Sequence, residues 1–145
     1  MIALCHPFQM PTENKMNDTF APNADEYEVI KKIANSGNVG PVLMININKY
    51  LPNAGYPDGK LYKDYMKALY VLLEQLGARI LWHIPVLGQP VGVQPADEIL
   101  GAWYPSHKSF LALREQPGSD ESFRCRDLCV DQGIVHRCPE NIIPK

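Results

Sequence analysis

A chain of 145 residues with 46% hydrophobic and 21% charged residues has globular composition and is long enough to bury a sizeable core. Its net charge of −2 and isoelectric point near 6.1 leave no basic footprint, which argues against nucleic acid as a partner. No apolar run approaches the roughly 20 residues a membrane helix needs. The opening "MIALCHPFQM" has neither the basic region nor the apolar length of a secretory signal, so a cytoplasmic protein without a membrane partner is expected.

Residues 1–23 hold three prolines and many polar residues without periodicity, and read as an irregular arm before a single domain spanning 24–145. From Asp25, "DEYEVIKKIANSG" is helical, with acids in its first turn, apolar Val29, Ile30 and Ile33, and Gly37 as a stop. "PVLMININKY" is a strand over 41–49. Its alternation puts Leu43, Ile45 and Ile47 on one side and Val42, Met44, Asn46 and Asn48 on the other. The two amides are the puzzle, because amides are depleted in strands and costly to bury unpaired.

The turn-rich "LPNAGYPDG" leads to a helix over 60–76 with Leu61, Tyr65, Leu69, Leu72 and Leu76 on one face and Gly77 at its end. "ARILWHIPV" is a second strand, with Ile80, Trp82 and Ile84 on one face and Arg79, Leu81 and His83 on the other. A Pro/Gly-rich connection, 87–96, precedes a third strand, "DEILGAWY". Pro105 ends it, and Ser106 caps a short helix through about Arg114. Ser119 is expected to cap a further helix that Gly133 ends, with "GIVHRC" as a short fourth strand.

Without the arm and first helix the order is β-α-β-β-α-β. That is a ferredoxin-like α+β sandwich with an extra N-terminal helix, its first and third strands central and one sheet face left bare. Placing Leu43, Ile45 and Ile47 under the helices turns Asn46 and Asn48 to the bare face, beside Met44, Leu81, Ile99 and Trp103. A bare, partly apolar face needs a partner, and a second copy of the chain is expected there.

The chemistry is sparse. Cys5, Cys125, Cys129 and Cys138 form no tight knuckle, so no metal is expected, and no phosphate loop, dinucleotide fingerprint or hydrolase motif calls for a cofactor. His83 is the candidate base, since a neutral imidazole can move a proton near pH 7. It shares its side with Arg79. Asn46 and Asn48 would hold a ligand oxygen, Trp103 could stack a flat ligand, and Tyr62 stands where its hydroxyl could reach a cavity mouth. Tyr65 reads as core and His107 as exposed. The acid pairs Asp97-Glu98 and Asp120-Glu121 read as capping or solvated charge. These residues suit an enzyme without cofactor, acting on a small, partly aromatic or carbonyl-bearing molecule, or a non-catalytic dimer that binds a metabolite or simply associates.

"GPVLMININKY", "YPDG", a helix ending "LGARILWH" and "WYPSHKSFLAL" resemble, in that order, small bacterial proteins of unknown function within the dimeric α+β-barrel superfamily. The resemblance runs from about Asp25 to Pro139. It implies a homodimer whose sheets face each other as a barrel around a cavity. Wider relatives include cofactor-independent monooxygenases, lactone isomerases, haem-degrading enzymes and chlorite dismutases. The chain departs from that pattern at Asn48, where an apolar residue is usual.

Overall fold

The computed structural model describes residues 21–140. All but the last three residues of the expected arm, and Cys5 with them, fall outside that range.

Helix α1 (Ala24–Asn35) carries Asp25 and Glu26 in its first turn and Lys32 in its last, matching its dipole, and buries Ile30. Strand β1 (Val42–Tyr50) leads through a 3-10 turn (Pro52–Ala54) to α2 (Lys60–Gln75), whose Tyr62, Tyr65, Met66, Leu69, Leu72 and Leu73 are buried. Gly77 ends α2 with φ +69°, the left-handed geometry glycine adopts freely, and the Ala78 N–H then reaches back to the Leu73 carbonyl at 2.9 Å. Strands β2 (Arg79–Pro85) and β3 (Glu98–Tyr104) follow. Ser106 caps α3 (His107–Leu111) as expected, its Oγ accepting from the Ser109 N–H at 3.0 Å.

Helix α4 (Ser119–Cys129) differs from expectation at both ends. Gly118 holds the cap position, so Ser119 is already helical, and the helix stops at Cys129 rather than Gly133. Val130 is extended and pairs with Tyr50, so the last strand, β4 (Val130–Pro139), begins without a linker and is longer than "GIVHRC". A β-branched residue with a sheet partner waiting ends this helix.

The four strands form one antiparallel sheet in the order β2-β3-β1-β4, with the first and third strands central. The architecture is α+β and compatible with the ferredoxin-like plan. The described helices pack on one face, where Val42, Met44, Leu100, Ala102 and Tyr104 meet Tyr65, Leu69, Leu72 and Leu73.

The facing of β1 is the reverse of the expected one. Val42, Met44, Asn46, Asn48 and Tyr50 lie under the helices, while Leu43, Ile45 and Ile47 turn to the opposite, open face. Both sets are apolar enough to be buried, so aliphatic content alone could not choose. On the covered side Asn48 meets the Tyr50 hydroxyl, and Asn46 bonds the Met44 carbonyl of its own strand. Strand β2 also departs from simple alternation. Its register against β3 shifts between Ile80 and Trp82, with Leu81 as the extra residue of a bulge. Ile80 and His83 consequently share the helix-covered face, opposite Ala102 and Leu100, while Trp82 and Ile84 turn to the open face opposite Gly101 and Ile99. The expected Ile80–Trp82–Ile84 face does not exist.

Among the described residues no helix is long and apolar enough to cross a membrane.

Candidate functional site

At the end of the sheet where β1 finishes and β3 starts, the covered face closes around one carboxylate. Glu98, paired with Asn48 and on the same strand face as Leu100, Ala102 and Tyr104, is 1% exposed. Burying a charged carboxylate costs several kcal/mol unless its oxygens are occupied, and here both are. The Tyr50 hydroxyl donates to Oε1 at 2.6 Å and the Tyr62 hydroxyl to Oε2 at 2.7 Å. His83 Nδ1 stands 2.7 Å from the same Oε2. The Asn48 amide in turn donates to the Tyr50 hydroxyl at 3.4 Å, near the limit for such a bond.

Local sequence explains the placement. Tyr50 is the last residue of β1, Tyr62 falls in the first turn of α2, and the 51–59 loop joins them tightly. Gly55 has φ +70°, and a Cβ on Gly59 would run into the Ala54 carbonyl and the Gly55 backbone. The loop folds the Tyr56 ring back onto Tyr50, stacked at 5.1 Å, and edge-on to Tyr62 at 4.8 Å. Next door, Asp97 accepts from the Tyr50 N–H at 2.9 Å and from the Lys49 ammonium at 3.3 Å, fixing the strand ends. Burial first, then neighbouring phenol and carboxylate groups, pushes the Tyr50 hydroxyl far above the usual tyrosine range. Burial and then the Glu98 hydrogen bond do the same for Tyr62. Both phenols therefore stay protonated and remain donors to Glu98.

The half-exposed member is His83, whose side chain is 43% exposed. A carboxylate only accepts, so a neutral ring must carry its proton on Nδ1, which leaves Nε2 with a lone pair.

The candidate residues thus divide between the two faces. Asn46, Asn48, Tyr62 and His83 lie on the covered side, and Arg79 and Trp103 on the open side. Asn46 and Asn48 do not line a barrel cavity. They border a cavity of about 10 Å³ with Tyr65, Leu69, Leu73, Ile80, Leu100, Ala102 and Tyr104, room for about one water molecule. The Asn46 amide donates to the Met44 carbonyl at 3.2 Å. Tyr62 is buried rather than at a mouth, and His83 points toward the helices.

Glu98 and Tyr50 escaped the sequence reading. Their signal was strand parity, since Glu98 alternates in phase with Leu100, Ala102 and Tyr104. His107 is also buried, not exposed. Cys125 and Cys129 are buried free thiols. Burial pushes both up, Cys129 to about 11.

On the open face the Arg79 guanidinium sits over the Trp103 ring, 4.9 Å from its centroid. Trp82 lies flat on Gly101, where an added Cβ would stand 2.6 Å from two indole carbons. Leu43, Ile45, Ile47 and Ile99 occupy the same face.

No family model and no curated protein matches the chain. Among solved structures it is similar to RPA0582, a protein of unknown function from Rhodopseudomonas palustris. The TM-score is 0.66 at 24% identity, covering 85% of this chain and 96% of that one. The methylated form of RPA0582 gives the same TM-score and identity, covering 85% and 94%. At that identity the likeness shows the fold alone.

Proposed function

We propose that this chain acts as a homodimer whose open sheet faces pair as a barrel and hold a small, partly aromatic or carbonyl-bearing molecule without a cofactor. The observation that carries the reading is the open face itself, with Leu43, Ile45, Ile47, Ile99, Trp82 and Trp103 on one side of a sheet whose described helices pack on the other. A contiguous apolar face marks an interaction surface. It runs on through Ile84 into the 86–97 connection, where Leu87, Val91 and Val93 are almost fully exposed. The buried Trp82 indole N–H has no acceptor among the described residues. Arg79 over Trp103 offers a flat cationic platform for a planar molecule carrying an oxygen anion or carbonyl.

A second reading, a homodimer that only associates, is favoured by the aliphatic content of the face, where Ile45, Ile47 and Ile99 are partly exposed. Light scattering and native mass spectrometry separate the possibilities. The expected mass is twice 16.3 kDa, with an interface above about 1,000 Å², and Ile45→Asp should return the protein to a folded monomer. A wild-type monomer at micromolar concentration overturns both readings. A co-purified small molecule that is lost in Trp103→Ala supports the first, and a dimer that carries none supports the second.

A further inference from the structure

The His83–Glu98 pair lies on the side of the sheet away from the proposed dimer face and belongs wholly to one protomer, so its chemistry is independent of that reading. Three features distinguish the pair from an incidental contact. The carboxylate is buried with both oxygens engaged, so its position is fixed by Tyr50 and Tyr62 rather than by His83. The histidine, by contrast, is the one exposed member. The contact also uses Nδ1, so a neutral ring keeps its lone pair on Nε2, in a side chain that is 43% exposed. A purely structural histidine has no need of that polarity. A buried acceptor holding Nδ1–H and leaving a free Nε2 is the arrangement by which a carboxylate sets the tautomer of a base and stabilises the imidazolium that forms.

We propose that His83 and Glu98 form a proton-transfer centre for a small carbon acid, a molecule with a C–H bond beside a carbonyl group. The substrate C–H bond breaks, its electron pair stays on the substrate as an enolate, and the proton goes to Nε2. Nδ1–H keeps its hydrogen bond to Glu98, so the new imidazolium faces a carboxylate already in place. The proton then returns to the enolate, at carbon or at oxygen, and nothing is oxidised or reduced. His83 is the catalytic residue, and Glu98 positions it. The Tyr56 ring packs on Tyr62, whose hydroxyl reaches the same Oε2 as His83. That aromatic pair beside Glu98 makes an aryl-substituted carbon acid the first probe.

The test uses the full chain in heavy water with three probes, phenylpyruvate, acetylacetone and 2-oxobutyrate, and follows loss of the C–H signal by proton NMR. Phenylpyruvate exchange should run about a hundredfold faster than in buffer with equimolar imidazole, and His83→Gln should fall to that baseline. If all three probes exchange no faster with wild type than with His83→Gln, the proposal is overturned. Nitrogen-15 shifts of the His83 ring test the positioning role. Wild type should be the Nδ1–H tautomer, and Glu98→Gln should move the population toward Nε2–H. A wild-type ring that is mainly Nε2–H also overturns the proposal. Should Glu98→Gln not fold, Tyr62→Phe removes one hydrogen bond from the same Oε2 and should give exchange between wild type and baseline. Unchanged exchange in Tyr62→Phe, with its tautomer unchanged, counts against a positioned carboxylate.

Discussion

The helix-covered face of the sheet buries a carboxylate, two amides and several tyrosine hydroxyls, while the open face carries isoleucines, a leucine and two tryptophans. The polar groups sit where the described helices cover the sheet, and the apolar ones on the face opposite those helices. A buried polar group is tolerated when its partners are assembled around it, and Glu98 gathers Tyr50, Tyr62 and His83 from three different elements. An apolar strip that no described helix covers has no such polar partners to gather. Its remedy is another surface.

The comparison breaks most sharply at Glu98. In Glu98→Ala two buried phenols lose their acceptor, each at about 1–3 kcal/mol, so urea denaturation should show a loss of several kcal/mol. Ile47→Ala, a cut on the open face of the same sheet, should cost the isolated protomer far less, because its side chain is only half-buried there. Equal losses from the two substitutions would mean that the polar cluster is not the better-packed region.

Gly101→Ala tests the open face from below. The added methyl would meet the Trp82 ring at 2.6 Å, and a displaced side chain of this kind costs about 1–3 kcal/mol. The indole should lift from the sheet and its fluorescence should shift to the red. An unchanged spectrum and midpoint would show that Trp82 does not rest on this glycine.

Element order and sheet plan were legible because helix and strand periods are written locally, in the leucine stripe of α2 and in the alternation of β1 and β3. Which way β1 faces was not. Val42 and Met44 on one parity are as buriable as Leu43, Ile45 and Ile47 on the other, and the Tyr50 hydroxyl that Asn48 meets is itself held by Glu98, 50 residues beyond Asn48. The bulge in β2 is unmarked in its own strand, with no glycine or proline near Leu81. Its trace lies across the sheet at Gly101, since a glycine inside a strand signals a close approach, here by Trp82. Glu98 was hidden by its neighbour, because an adjacent acid pair at a strand start looks like solvated charge although only Asp97 is near the surface. His107 looks exposed because it follows a helix cap, whereas in the fold α1 packs against α3 and Arg137 of β4 stands nearby.

The smallest effect concerns that last contact, between α1, α3 and β4. Arg137 grips Glu26 through two hydrogen bonds, of 2.7 and 2.9 Å, which hold the Glu26 carboxyl below the usual glutamate range. Beside them His107 is pushed below the usual histidine range, by burial first and by the Arg137 charge second, with Glu26 opposing. A lowered histidine binds its proton more readily in the unfolded chain, so acid favours unfolding. Stability should therefore hold above the unfolded value of 6.5 and decline as pH falls below it. Glu26 adds to the decline only below 4.5, as its carboxyl is protonated. Between pH 7 and 5 the slope is that of His107 within this trio, and His107→Gln should flatten it in urea midpoints measured across that range. The Glu26–Arg137 pair is partly exposed, so Glu26→Gln at pH 7 should cost no more than about 1 kcal/mol. A wild-type midpoint that rises on acidification from pH 7 to 5 would show that His107 gains rather than loses partners in the folded state.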